Sequence, residues 1–152
     1  MAETPSAVLF CCDHNSIRSP MAEALMKNLV GTQIFVQSAG VKSDSDIDGF
    51  AVSVCKELDV ELSKHKVRSF EELEDWGEQL DSFDLVIALS PTSHRRITEL
   101  TKDHAVDVEY WETADPTKVG ETRDEKLAEY RAVRDDIISN IKRRFLEVDT
   151  YK

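Results

Sequence analysis

Cys12 and Arg18 stand six positions apart in the segment Cys12-Asp13-His14-Asn15-Ser16-Ile17-Arg18-Ser19-Pro20. Together they could perform nucleophilic chemistry on a tetrahedral oxyanion. In a tight loop from Cys12 to Ser19, successive backbone N–H groups can converge on one centre, and the positive end of a helix opening at Pro20 adds to their field. On that reading the loop residues Asp13, His14, Asn15, Ser16, Ile17, Arg18 and Ser19 cradle a phosphate. Arg18 brings a planar fork that matches two anion oxygens, which a lysine could not reproduce. The same field favours the thiolate of Cys12, the form that attacks phosphorus. Ser19 can donate a hydrogen bond to that sulfur, both as nucleophile and as the group expelled when a covalent intermediate breaks down. Asn15 is one of the few non-glycine residues that tolerates a left-handed backbone in such a loop. The plainer alternative for Cys12 is a small hydrophobe packed at the end of a buried strand.

The surrounding pattern supplies the elements that must position this loop. Ala7 to Cys11 is a short continuous apolar run, as expected of a strand covered on both faces. From Pro20 the spacing of Met21, Leu25 and Leu29 is helical. Ile34 to Gln37 reads as a second strand followed by a turn at Ser38-Ala39-Gly40. Ala51, Val54 and Leu58 mark a helix, and Phe70 to Leu80 holds another with an acidic wet face. Phe83 to Leu89 is a third buried strand, and Ser90-Pro91 leads into a helix. Val106 to Tyr110 is a fourth strand, followed by a loop through Asp115-Pro116 to about Arg123. A long helix then carries Tyr130, Val133, Ile137, Ile141 and Phe145 on one stripe. Strands alternating with helices predict an α/β fold: one domain over residues 1–152, doubly wound, with a four-stranded parallel sheet and helices on both faces. In such a sheet, ligands bind beyond the carboxyl ends of the strands, so the loops after Cys11, Ser38, Leu89 and Tyr110 share the active edge.

Composition narrows the function classes. A chain of 152 residues with 41% hydrophobic content and only 5 Gly and 4 Pro suits one globular unit. A formal net charge of −11 disfavours nucleic acid and anionic lipid as partners, because both require a basic face. Met1 to Ala7 lacks a basic region followed by an apolar run, and no stretch has the length to span a bilayer, so a cytoplasmic location is expected. Three cysteines, an odd number, suit a reducing compartment where a thiol can be a reagent. No metal-ligand spacing is present, and no cofactor is expected.

The motif residues closely resemble the low-molecular-weight protein tyrosine phosphatase family, whose signature is an apolar strand, then Cys, five residues, Arg, Ser and Pro. The likeness continues through Met21-Ala22-Glu23-Ala24, Ser38-Ala39-Gly40, Lys64-His65-Lys66-Val67-Arg68 and Asp115-Pro116. It implies that Cys12 is the nucleophile and that Arg18 binds phosphate and stabilises the transition state. Asp115 then protonates the leaving oxygen and afterwards activates water, while Asn15, Ser19, Ser38 and His65 hold the loop. Without the resemblance, Asp115 is only a turn-forming Asp-Pro. The implied substrate is a phosphorylated protein or a small phosphomonoester, handled by a monomer or weak dimer.

Several positions depart from the family pattern. His14 stands where relatives usually have Gly, Ile17 replaces a second loop cysteine, and Thr117-Lys118 stand where many members have tyrosines. Ser43 to Asp48 is acidic and lacks the aromatic of the usual substrate wall, so a stacking cleft for a phosphotyrosine ring is poorly supported. The second half also resembles the thioredoxin-coupled arsenate reductases of the same fold, in Gln37-Ser38-Ala39-Gly40, Val108-Glu109-Tyr110-Trp111 and the segment from Tyr130 to Ile137. The stretch Ser90 to Ile97 holds neither of their resolving cysteines, so arsenate reduction would need an external thiol. Cys11 is too close to Cys12 for an unstrained disulfide, and Cys55 reads as core, as do Trp76 and Trp111. The alternatives to phosphomonoester hydrolysis are thus arsenate reduction with an external thiol and a non-catalytic phosphate-binding module.

Overall fold

A computed structural model of the chain describes residues 5–43 and 46–146. Met1 to Thr4 of the amino-terminal segment, and Asp44 and Ser45 of the acidic segment, lie outside the described residues. Four strands, β1 (Ala7–Cys12), β2 (Phe35–Gly40), β3 (Leu85–Ala88) and β4 (Asp107–Tyr110), alternate with helices. These are α1 (Arg18–Val30), α2 (Gly49–Lys56), α3 (Phe70–Asp75), α4 (Pro91–Thr101) and α5 (Arg123–Ile141). The sheet order is β2-β1-β3-β4, and every pairing is parallel. All four strands therefore end on one edge, as expected of a doubly wound sheet.

The pleat of β1 sorts the core into two layers. Val8 and Phe10 face α1, α2 and α5, where they meet Met21, Leu25, Val54 and Ile137. Leu9 and Cys11 face the opposite side, against Phe70, Leu73 and Ile97 of α3 and α4. With both faces covered, β1 and β3 are almost wholly buried, which is why each reads as an unbroken apolar run.

Several boundaries differ from the sequence expectation, each for a local reason. Helix α1 begins at Arg18, two residues before Pro20. The proline sits inside the first turn, where its missing N–H is not needed. Ser38, Ala39 and Gly40 continue β2, because all three register against Phe10, Cys11 and Cys12, and Gly40 also bridges to Ser69. The expected helix from Phe70 to Leu80 stops at Asp75, and Gly77 takes a φ of +99°, which favours glycine. Leu58 lies beyond α2 and is exposed, as is Trp76, whereas Cys55 is fully buried and Trp111 packs edge-on against Phe10. Among the described residues no helix is long and apolar enough to cross a membrane.

Candidate active site

The loop from Cys12 to Ser19 joins the end of the central strand β1 to the start of α1. Three backbone bonds from the neighbouring chain hold it: Val41 N donates to Cys12 O at 3.1 Å, Lys42 N to Asp13 O at 2.9 Å and Asp48 N to Ser16 O at 3.0 Å. Asn15 takes the left-handed conformation its type allows, with φ +57°. The Cys12 sulfur, 3% exposed, lies 2.9 Å from Ser19 Oγ and accepts from the Ser19 N–H at 3.4 Å.

The direction of these side-chain bonds follows from one unambiguous donor. The backbone N–H of Arg68 donates to Asn15 Oδ1 at 3.0 Å, so the opposite end of that amide is the NH2 group. Asn15 Nδ2 then donates to Ser19 Oγ and to Ser38 Oγ, each at 2.9 Å. Ser19, already accepting, turns its own proton to the Cys12 sulfur. A wholly buried asparagine thereby orients the hydroxyl that stabilises a thiolate.

Behind Asn15 lies a buried polar cluster. Ser38 Oγ donates to Glu23 Oε1 at 2.6 Å, Arg68 Nη2 stands 3.3 Å from the same oxygen, and Lys27 Nζ donates to Glu23 Oε2 at 2.6 Å. Arg68 also donates from Nε to Ser38 O at 2.9 Å and from Nη2 to Gln37 Oε1 at 2.7 Å. His65 Nε2 lies 2.8 Å from Asn15 Oδ1 and its Nδ1 3.9 Å from Glu23 Oε1. The second contact is not an ion pair, because the buried ring carries no charge at pH 7. Burial pushes the His65 ring down to about 4, against the opposing pull of Glu23. The ring is neutral at pH 7, and its Nε2–H donates to Asn15.

The solvent side of the loop is a cleft of about 400 Å³ whose lining includes Cys12, Asp13, His14, Ser16, Arg18 and Asp115. The Arg18 side chain is enclosed: Nη1 donates to Thr113 O at 3.0 Å, and Nη2 is paired with Asp13 Oδ2 at 3.5 Å. Asp115 caps the turn Pro116–Lys118, its Oδ1 accepting from Thr117 N at 3.0 Å and from Thr117 Oγ1 at 2.6 Å. Partial burial pushes its carboxyl up, but the Thr117 bonds and the charges of Arg18 and Lys118 outweigh this and hold it below the usual range.

Ile17, Asp46, Asp48, Thr117 and Lys118 complete the lining, which among the described residues holds no Phe, Tyr or Trp. The exposed His14 belongs to this wall. A thiol, a guanidinium and a carboxyl facing one hollow are the groups needed to attack a tetrahedral oxyanion, hold its oxygens and move a proton to or from a departing group.

The structure thus gathers Cys12, Asp13, His14, Ser16, Ile17, Arg18 and Asp115 around one cleft. It turns Asn15 and Ser19 of the loop inward and sets Ser38 and His65 behind them. Sequence reasoning missed Glu23, Arg68, Thr113, Thr117 and Ser90 as parts of this arrangement. Glu23 did carry a signal, being a charged residue within the otherwise apolar run from Met21 to Leu25. Thr113 and Ser90 had none, since they reach Arg18 and Asp13 from 95 and 77 residues away.

Comparison with known proteins agrees with this geometry. Residues 7–150 match the family model for low molecular weight phosphotyrosine protein phosphatases. An arsenate reductase of Halalkalibacterium halodurans is 32% identical over 135 residues, 89% of this chain and 91% of the relative. A solved arsenate reductase in a phosphate-binding state superposes with a TM-score of 0.73 at 26% identity, covering 91% of this chain and 95% of that one. The YwlE arginine phosphatase of Geobacillus stearothermophilus superposes at 0.72 with 28% identity, covering 91% and 90%. With strand, loop and helix in the family's order and nearly the whole chain matched, this protein belongs to the low molecular weight phosphotyrosine protein phosphatase family.

Proposed function

We propose that the protein is a phosphomonoester hydrolase of the tyrosine-phosphatase type, acting through a phosphocysteine intermediate on Cys12. One observation carries this reading: the Cys12 sulfur, fixed by Ser19, opens into the same cleft as Arg18 and Asp115. The Cys12 thiolate attacks phosphorus, and the bond to the leaving oxygen breaks as the Asp115 carboxyl protonates that oxygen. Arg18 and the loop N–H groups of residues 13–18 hold the remaining oxygens as charge develops on them. The Asp115 carboxylate then takes a proton from the water that attacks the phosphocysteine, and the departing thiolate is received by the Ser19 hydroxyl and N–H. His65, Ser38 and Asn15 serve by holding the loop. The substrates are phosphorylated proteins or small phosphomonoesters. The acidic lining, with no Phe, Tyr or Trp among the described residues, weakens the case for selective stacking of a phosphotyrosine ring.

The test is hydrolysis of an aryl phosphate without added metal, inhibited by vanadate. Cys12→Ser should abolish turnover while phosphate still binds, and turnover that survives that substitution sinks the proposal.

A second reading, arsenate reduction, is favoured by the curated relatives, several of which are arsenate reductases at about 30% identity. Reducing arsenate to arsenite requires two thiols to become a disulfide. Cys11 and Cys55 are fully buried, and burial pushes both thiols up, Cys55 to about 12, so Cys12 would need an external thiol. Arsenate turnover with a glutathione-like thiol or thioredoxin, faster than aryl phosphate hydrolysis, would place this reading first.

A further inference from the structure

A carboxylate inside an anion-binding loop is electrostatically out of place, and Asp13 is such a carboxylate. Its side chain is only about a third exposed, 35%, and it lines the cleft beside Cys12 and Arg18. One oxygen, Oδ2, stands 3.5 Å from Arg18 Nη2. The other, Oδ1, accepts the Ser90 hydroxyl proton at 2.6 Å. Ser90 is itself immobilised: it is 1% exposed, it caps α4 with its Oγ accepting from Ser93 N at 3.2 Å, and its hydroxyl meets Ser93 Oγ at 2.7 Å. The carboxylate is therefore anchored to the capped start of α4, just beyond the end of β3, and through it Arg18 is held as well.

We propose that Asp13 is a positioning residue for Arg18, and that its charge sets how readily the loop releases the anion it binds. This rests on the reading of the Cys12 loop as a phosphoryl-transfer site. The guanidinium is gripped at two corners, by Asp13 at Nη2 and by Thr113 O at Nη1. Of its five N–H groups the Thr113 bond occupies one, and Nη2 faces the Asp13 carboxylate as an ion pair at 3.5 Å, which leaves enough to form a bidentate fork on an anion. Such a fork is preorganised, with little reorientation required when the phosphoryl group arrives. The same carboxylate offsets part of the Arg18 charge and repels a dianion directly. Inorganic phosphate, the product, consequently binds less tightly than it would at an unpaired arginine, and it leaves faster.

Asp13→Asn removes the charge while the amide oxygen can still accept from Ser90, so the side chain stays anchored to α4 although its NH2 group no longer pairs with Arg18. In that variant, inhibition by inorganic phosphate is expected to tighten on the order of tenfold, and kcat to fall severalfold as release slows and the fork loosens. Asp13→Ala removes the grip as well and should lower kcat/KM by on the order of tenfold to a hundredfold. Ser90→Ala keeps the charge but frees the carboxylate, so kcat falls while the phosphate inhibition constant stays within about twofold of wild type. Melting temperatures of all three variants identify any that fail to fold, and Asp13→Asn, the closest in shape, carries the decision.

An inhibition constant that is unchanged or weaker in Asp13→Asn overturns the proposal, and so does an unchanged kcat in both Asp13 variants. Phosphate binding is also measured by calorimetry in wild type and Asp13→Asn. If neither protein turns over aryl phosphate, the proposed reaction fails while the affinity ratio still judges the Asp13 grip.

Discussion

His65 Nε2 meets Asn15 Oδ1 at 2.8 Å across 50 residues of chain, so a ring on the segment before α3 sets the amide that directs Ser19 at the Cys12 sulfur. The bond depends on a neutral, buried ring, and that gives it a pH signature. An unfolded histidine titrates near 6.5, whereas burial lowers His65 in the folded protein to about 4. Between those values the unfolded chain holds a proton that the native state does not, so stability rises with pH across that window. The contribution is fully present above about 6.5, is lost as pH falls toward 4, and is on the order of 3 kcal/mol. Urea unfolding of wild type and His65→Gln at pH 4, 5, 6 and 7 isolates it, since all other titrating groups are shared. Parallel pH dependences in the two proteins would refute the assignment.

Thr117 donates to Asp115 through both its N–H and its hydroxyl, and these bonds help hold the carboxyl below the usual range. A general acid must be protonated in the free enzyme, so kcat/KM declines as pH rises through its titration. Thr117→Val removes the hydroxyl donor and lets the Asp115 carboxyl rise. The declining limb of kcat/KM should therefore move to higher pH, with activity at pH 7 increasing about threefold on a substrate with a poor leaving group. On a good leaving group the two proteins should match, and an equal change on both kinds of substrate would point to another acid.

Gly40, the last residue of β2, backs directly onto the Cys12 loop. A Cβ there would lie 2.7 Å from Asn15 N and 2.8 Å from His14 C and Lys42 O, all of them backbone atoms. Gly40→Ala must displace the loop and should cost about 1–3 kcal/mol, with kcat reduced at least about tenfold because the fork and the sulfur lose their register. Gly49, in α2, has nothing within 4 Å of the corresponding position. Gly49→Ala should instead add about 0.5–1 kcal/mol with unchanged kinetics. Thermal melts and aryl phosphate kinetics on the pair read both signs, and a neutral Gly40→Ala would show that the loop can shift without loss.

Local chemistry determined what the sequence alone made legible. The apolar run of β1, the change to helical spacing after Pro20 and the αL-tolerant Asn15 each follow from side-chain type acting on neighbouring backbone. The strand, loop and helix that build the anion cradle were therefore readable residue by residue. The ends of β2 and α3 were not, because Ser38, Ala39 and Gly40 become strand only by pairing with Phe10, Cys11 and Cys12, a long-range bond that no local propensity encodes. The partners that aim the chemistry lay further out of reach. Thr113 and Ser90 come to Arg18 and Asp13 from 95 and 77 residues away, and Arg68 to Asn15 from 53. Sequence supplied a candidate nucleophile, the guanidinium and a candidate acid. The parallel sheet, by delivering four strand ends to one edge, decided which distant side chains fix their direction and charge.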